Sequence, residues 1–262
     1  MSFQGKTAWI TGASSGIGEA LAYALSQQGA RLILSARRVE ELERVRAQCA
    51  NPTVHLVLPL DLAHFDAKAL TQQVLAEMGQ VDILVNSGGI SQRALAVEAD
   101  VTIDRRIMEI NYFGTVALTK AVLPSMIARK SGHIVTISSL SGKISTPRRS
   151  AYAASKHALH GFFDSLRSEV YADGISVTLI CPGYVKTNLS LYAVNADGSA
   201  HGQMDPTQAK GMAPEKLAVR ILQAIERGED EVIVGGKEVL AVYLKRFFPG
   251  LYATFIRSRR IT

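Results

Sequence analysis

The segment Lys6-Thr7-Ala8-Trp9-Ile10-Thr11-Gly12-Ala13-Ser14-Ser15-Gly16-Ile17-Gly18 carries the strongest structural signal in the chain. Lys6–Ile10 is a short apolar run of strand character, and it enters a glycine-rich turn followed by a helical pattern to about Gln28. Each glycine has a distinct physical use in such a turn. Gly12 permits the sharp exit from the strand, Gly16 lets the backbone approach a pyrophosphate, and Gly18 lets the helix pack against the sheet. The helix N-terminus then presents free N–H groups and a partial positive charge to phosphate. Gly12, Ser14, Ser15, Gly16, Ile17 and Gly18 are therefore candidate phosphate-binding residues. A strand–helix turn that holds no ligand is the competing reading, and the turn's place between the first strand and the first helix argues against it.

The alternation continues outward from this turn. Strand-like runs at Arg31–Leu34, Val54–Leu58, Val81–Val85, His133–Ile137, Ser176–Ile180 and Val232–Val234 alternate with helical stretches. The helices are expected at Val39–Cys49, Ala67–Met78, Thr102–Arg129, Tyr152–Tyr171 and Pro214–Glu226, the last with proline in its first turn. Short apolar strands separated by helices imply parallel βαβ units. Continuous apolar strands suit a sheet covered on both faces. The expected fold is α/β: a single-domain, doubly wound parallel sheet of the Rossmann type, with about seven strands and helices on both faces. Residues 1–236 are read as the dinucleotide-binding catalytic domain. Within them, the polar, aperiodic stretch at about 188–211 follows the sixth strand, where a substrate lid would lie. Residues 237–262 are read as a basic, aromatic C-terminal helical extension.

Composition excludes several other classes. The chain has 262 residues, 47% hydrophobic and 20% charged, which is ordinary globular composition and not that of a disordered or collagenous chain. No apolar run reaches the roughly 18 residues that span a bilayer. The N-terminus lacks the pattern of a secretory signal, so a cytoplasmic protein is expected. The two cysteines, Cys49 and Cys181, sit inside apolar patterns and are expected to be buried free thiols. No His/Cys/Asp cluster has zinc spacing, so no metal is expected. From Lys237 onward six basic residues, Arg259 and Arg260 among them, stand against Glu238 alone, which places +5 of the net charge of +6 in the tail. No nucleic-acid reading module accompanies it, so nucleic acid is not an expected partner. The tail also holds Tyr243, Phe247, Phe248, Tyr252 and Phe255. Basic residues interleaved with aromatics suit peripheral contact with a membrane surface. The alternative is that these aromatics cover the substrate pocket or dock on a partner subunit.

The end of the second strand selects the dinucleotide. A carboxylate there would hold the adenosine ribose and favour NAD. The sequence instead reads Leu34-Ser35-Ala36-Arg37-Arg38. Arg37, with Arg38 beside it, can meet a 2′-phosphate through charge-assisted hydrogen bonds, so NADP(H) is the expected cofactor. Tyr152 and Lys156 are spaced i and i+4 on one helix face. Ser139 ends the fifth strand. Strand ends on the carboxyl side of a parallel sheet face the cofactor crevice. A neighbouring ammonium would lower the tyrosine pKa from about 10 and fit it for proton transfer.

Taken together, TGASSGIG at 11–18, the Asn86 region, Asn111, Ser138-Ser139, Tyr152-Ala153-Ala154-Ser155-Lys156 and Pro182-Gly183-Tyr184-Val185-Lys186-Thr187 resemble the short-chain dehydrogenase/reductase family in order and spacing. The resemblance implies hydride transfer between NADP(H) and a carbonyl or secondary alcohol substrate. It implies Tyr152 as general acid/base, with Lys156 holding the nicotinamide ribose and depressing the tyrosine pKa. Ser139 would orient the substrate oxygen and Asn111 would position a relay water. Asp61 and Leu62 would flank the adenine. Asn86, Pro182, Gly183, Val185 and Thr187 would complete the cofactor site, Thr187 on the carboxamide. It also implies a homodimer or homotetramer through the two long helices. The segment Asn86-Ser87-Gly88-Gly89 departs from the family's usual Asn-Asn-Ala-Gly. The stretch from Arg149 to Ala158 and the tail resemble the dehydrogenase/reductase member 7-like group, related to 11β-hydroxysteroid dehydrogenases, and so suggest lipid-like, steroid or retinoid carbonyls. Two other classes stay open on the sequence: a non-catalytic NADP(H) sensor or scaffold, and an epimerase on the same scaffold.

Overall fold

A computed structural model describes residues 2–258, so Arg259 and Arg260 of the basic tail lie outside the described residues. The strands are β1 (Thr7–Thr11), β2 (Arg31–Ser35), β3 (Leu56–Val57), β4 (Ile83–Asn86), β5 (Gly132–Ile137), β6 (Ile175–Pro182) and β7 (Glu231–Val234). The helices are α1 (Gly16–Gln27), α2 (Val39–Gln48), α3 (Ala67–Met78), α4 (Val101–Met108), α5 (Gly114–Arg129), α6 (Ser150–Glu169), α7 (Pro206–Ala209), α8 (Pro214–Arg227), α9 (Leu240–Phe247) and α10 (Pro249–Ser258). All seven strands pair in parallel, in the order β3-β2-β1-β4-β5-β6-β7. This is the doubly wound Rossmann-type sheet expected. The chain runs outward from β1 to β3, then returns to the other side of β1 as β4. That reversal opens a crevice at the carboxyl ends of β1 and β4.

Side-chain alternation along each strand divides the core between the two faces of the sheet. Ala8 and Ile10 of β1 pack on one face with Leu21 and Leu25 of α1, Leu42 and Val45 of α2, and Leu217 and Ile221 of α8. Trp9 points to the other face, against Val74 of α3, Leu118 and Val122 of α5, and Phe163 of α6. Trp9 is fully buried, and its indole N–H donates to Ser35 Oγ at 2.9 Å, which pins β1 to β2. Cys49 and Cys181 are buried free thiols, as expected.

Three elements differ from expectation. The helix read as continuous over 102–129 is broken into α4 and α5 by one wide turn at Glu109–Phe113. Asn111 sits in that turn and bonds to the Ile90 backbone, while Gly114 packs so closely on the Leu62 carbonyl that a Cβ has no room. Apolar periodicity runs through both halves and carries no sign of the extra residue. β3 is shorter than expected because Pro52 opens a tight turn through Val54. The stretch 188–211 is ordered against the segment after β4: Val194 N–H donates to Ser91 O and Arg93 N–H to Val194 O, each at 2.9 Å.

Candidate active site

The crevice is a cleft of about 1010 Å³. Its floor is the turn after β1. Gly12 has a φ of +66°, and a Cβ there would lie 2.9 Å from both N and Cα of Gly88, so the turn and the loop after β4 touch backbone to backbone. Thr11 Oγ1 reinforces this contact by accepting from the N–H groups of Ser87 and Gly88, each at 3.1 Å. Gly16 also has positive φ, +60°, and a Cβ there would press on the Thr187 side chain at 3.0 Å. Gly12, Ser14, Ser15, Gly16 and Ile17 line the cleft, together with Arg37, Arg38, Asp61, Leu62, Pro182, Gly183, Val185 and Thr187. Arg37 and Arg38 are exposed at the end of β2, and no carboxylate occupies that strand end. The Arg38 guanidinium lies 6.0 Å from the Tyr192 ring of the 188–211 segment.

Three residues are placed differently from the cleft-lining set. Gly18 faces the Gly12 carbonyl, with no room for a Cβ, and serves helix packing. Asn86 is buried, and its side-chain amide donates to Thr119 Oγ1 at 3.0 Å and Thr136 Oγ1 at 3.3 Å, so it ties β4 to α5 and β5. Asn111 is 1% exposed. Its Oδ1 accepts from Ile90 N–H at 2.8 Å, and its Nδ2 donates to Ile90 O at 2.9 Å and Ser155 Oγ at 3.0 Å. Asn111 thus shapes the wall beside Gly89, where a Cβ would lie 3.0 Å from its Oδ1 and 3.8 Å from Lys156 Nζ.

Ser139, Tyr152 and Lys156 converge in the cleft. Ser139 leaves β5 into a tight turn over Leu140–Gly142, and its Oγ accepts from Ser141 N–H at 3.0 Å. Tyr152 and Lys156 project from the first turns of α6, and both are buried. Lys156 Nζ donates to Ile137 O at 2.8 Å and lies 5.9 Å from the Tyr152 ring centre. Burial pushes the Tyr152 pKa up, against the opposing pull of Arg149, the Ser139 hydroxyl and Arg93. Burial pushes Lys156 down to about 8. An acid held protonated beside a hydroxyl and a buried amine can donate a proton to an oxygen bound between them.

Several wall residues carry no motif in the sequence. Leu240, Ala241 and Leu244 of α9 and Phe255 and Ile256 of α10 form an apolar side of the cleft with Leu140 and Ile144. Tyr252 O–H donates to Ser145 O and Lys245 Nζ to Lys143 O, each at 2.9 Å, which seats this cap on the loop after Ser139. The interleaving of aromatics in the tail was the available signal, and a covering role was one of its two readings. Arg149 lines the cleft, and Asp205 at the start of α7 joins it at 3.6 Å and Arg93 at 2.8 Å.

Residues 6–196 match the family model described as short chain dehydrogenase. The "Dehydrogenase/reductase SDR family protein 7-like" of Drosophila melanogaster is 49% identical over 264 residues, covering 98% of this chain and 81% of that protein. The "Dehydrogenase/reductase SDR family member 7B" of Bos taurus is 48% identical over 259 residues, covering 95% and 80%. Among solved structures, a short-chain dehydrogenase from Streptomyces avermitilis superposes with a TM-score of 0.81 at 32% identity, covering 96% of each chain. A short-chain dehydrogenase/reductase from Burkholderia phymatum in complex with NAD superposes at 0.83 over 96% of each chain, with 22% identity, and shows the shared fold. With its family motifs assembled around one crevice, the chain belongs to the short-chain dehydrogenase/reductase family of oxidoreductases.

Proposed function

We propose that this protein is an NADP(H)-dependent carbonyl reductase or alcohol dehydrogenase in which Tyr152 is the general acid/base. The observation that carries the reading is the convergence of Ser139, Tyr152 and Lys156 in the same cleft as the glycine cradle. The cradle fits a dinucleotide because Gly12, Ser14, Ser15, Gly16 and Ile17 line the cleft at the N-terminus of α1, with Gly12 and Gly16 holding the positive φ that the turn requires. Gly12, Ser14, Ser15, Gly16 and Ile17 would hold the pyrophosphate, Arg37 and Arg38 the 2′-phosphate, Asp61 and Leu62 the adenine, and Pro182, Gly183, Val185 and Thr187 the nicotinamide end. The bound nicotinamide would supply the hydride. Ser139 Oγ orients the substrate oxygen, and Tyr152 Oη donates its proton to that oxygen during reduction. Burial keeps Tyr152 protonated, which suits the reducing direction. Lys156 Nζ reaches the ribose side of the site and steadies the tyrosinate left after transfer.

The apolar wall of Leu140, Ile144, Leu244, Phe255 and Ile256 selects a lipid-like carbonyl substrate. Tyr243, Phe247, Phe248 and Leu251 are exposed on the same cap, near Lys245 and Arg246, which supports peripheral contact of a cytoplasmic protein with a membrane surface. No described helix is long and apolar enough to cross a membrane. A homodimer or homotetramer would bury Phe113, half exposed at the start of α5 and stacked edge-on against Tyr112 at 5.0 Å.

The test is NADPH oxidation by wild type and Tyr152→Phe against quinones, aromatic aldehydes, 3-oxoacyl esters, ketosteroids and retinal, with and without lipid vesicles. Turnover abolished in the variant, with NADPH still bound, is expected. Bound NADPH with no turnover of any carbonyl, or equal turnover in the variant, would overturn the proposal.

A further inference from the structure

One buried polar cluster remains outside this mechanism. His160 lies one helical turn beyond Lys156 on α6 and is 7% exposed. Its Nε2 is 3.1 Å from Ser138 Oγ and 3.6 Å from Cys181 Sγ. Its Nδ1 faces Glu231 Oε2 at 3.4 Å, without the alignment of a direct hydrogen bond. Glu231, the first residue of β7, also pairs with Lys143 Nζ at 2.5 Å. Lys143 closes the turn that begins at Ser139. Gly142 of that turn lies against the imidazole: a Cβ there would be 2.6 Å from Ser138 Oγ and 2.8 Å from His160 Nε2.

These contacts define the imidazole's tautomer. The carboxylate of Glu231 faces Nδ1, so the proton belongs there. With the proton on Nδ1, Nε2 is left to accept from the Cys181 thiol and from the Ser138 hydroxyl, which also lies 3.4 Å from Lys156 O. Burial, reinforced by Glu231, holds the Cys181 thiol at about 12, so it stays protonated. His160 and then Lys143 hold Glu231 at about 2 against its own burial, so it stays charged. The imidazole, Cys181 and Glu231 offer ligand atoms within 4.8 Å of one another, but the thiol is held protonated and Lys143 already occupies the carboxylate, which suits a hydrogen-bonded brace rather than an ion.

We propose that His160 and Glu231 act together as positioning residues: His160 grips Ser138 while Glu231 grips Lys143, and the two fix the intervening turn so that Ser139 Oγ points at the substrate oxygen. Ser138 is the residue before Ser139, and its N–H is already fixed to Ile180 O at 2.8 Å. The side-chain grip removes the remaining freedom at the end of β5, and the Lys143 pair does the same at the far end of the turn. A displacement of about 1 Å in an orienting group costs on the order of a hundredfold in rate. This inference rests on the proposed role of Ser139.

The experiment has two arms. In the first, 15N-edited NMR of the wild-type imidazoles should show His160 with a proton on Nδ1 and a bare Nε2; the opposite tautomer would overturn the proposal. In the second, His160→Leu should lower kcat about tenfold or more on the best carbonyl, while the NADPH Kd stays within about twofold. His160→Gln, whose amide oxygen can accept from Ser138, should recover most of the loss, and a merely space-filling role would favour the leucine instead. His160→Leu combined with Glu231→Leu should be less damaging than the product of the two single effects, since both break one brace. Unchanged kcat in His160→Leu, or strictly multiplicative losses, would overturn the proposal. A wild type that turns over no carbonyl would refute the reductase reading, and the NMR arm would still decide whether the brace exists.

Discussion

Lys156 is expected to destabilise the protein it serves. Its amine is buried, and burial lowers its pKa from 10.5 to about 8. At about 1.4 kcal/mol for each pH unit, that fall corresponds to about 3 kcal/mol of penalty for holding the charged form at pH 7. Replacing Lys156 by methionine keeps the unbranched stem and removes the charge. It also removes the hydrogen bond to Ile137 O, at 2.8 Å, a cost of about 1–2 kcal/mol. The balance favours Lys156→Met by about 1–2 kcal/mol, or about 2–4 °C in Tm for a chain of this size. The pH dependence has a definite sign. Between pH 8 and 10.5 the unfolded chain keeps the lysine proton that the folded chain has lost, so wild-type stability rises with pH through that window. The advantage of the variant is therefore largest below pH 8 and is lost, then reversed, toward pH 10.5. Calorimetry of both proteins without nucleotide, at several pH values, measures the difference directly. Added NADPH should raise the wild-type Tm more than the variant's. A variant less stable than wild type at pH 7, or a difference that does not change with pH, would refute the argument that burial dominates at this amine.

Arg37→Ala should weaken NADPH binding by about 1.5–3 kcal/mol and leave NADH binding nearly unchanged, as read by fluorescence titration; equal losses would remove the 2′-phosphate assignment. Gly12→Ala should cost about 1–3 kcal/mol of stability and more in cofactor affinity, because the residue combines a φ of +66° with a 2.9 Å approach to Gly88. Burial lowers His133 from 6.5 to about 4, so the folded state resists a proton that the unfolded chain accepts. Stability should fall by about 3 kcal/mol as pH drops from 6.5 to 4, and His133→Gln, which can still reach Thr178 Oγ1, should flatten that slope in urea titrations.

The legible parts of this protein were those in which a local rule and a global requirement coincide. The turn at Gly12–Gly18 needs glycines at fixed positions for reasons of backbone contact, and those positions can be read one by one. The i, i+4 spacing of Tyr152 and Lys156 places both on one helix face before any tertiary contact is known. The wide turn at Asn111 was not legible, because its cause is a pair of bonds to Ile90, a residue distant in sequence. Asn86 illustrates the same limit. It stands in a family motif beside the cleft, yet its amide is spent on Thr119 and Thr136 inside the core. Sequence also left the tail with two readings, membrane contact or cover of the pocket or of a partner subunit, since an aromatic–basic pattern suits both.

The cap formed by α9 and α10 accommodates both readings at once. Its inner residues Leu244 and Ile256 line the cleft, whereas Tyr243, Phe247 and Leu251 face outward. Two helices of 8 and 10 residues are too short to be stable alone in water, so they depend on docking. Two docking bonds, Lys245 to Lys143 O and Tyr252 to Ser145 O, fall on the loop that follows Ser139. Lys143 is in turn held by Glu231. The same short loop therefore carries the Ser139 hydroxyl at one end and the cap's anchor at the other. Anything that shifts the cap, including an apolar surface pressed against its outer face, acts on the loop that holds Ser139. With Ser139 orienting the substrate as proposed, the cap and the orienting group share one loop, and removal of α10 should damage kcat as well as KM.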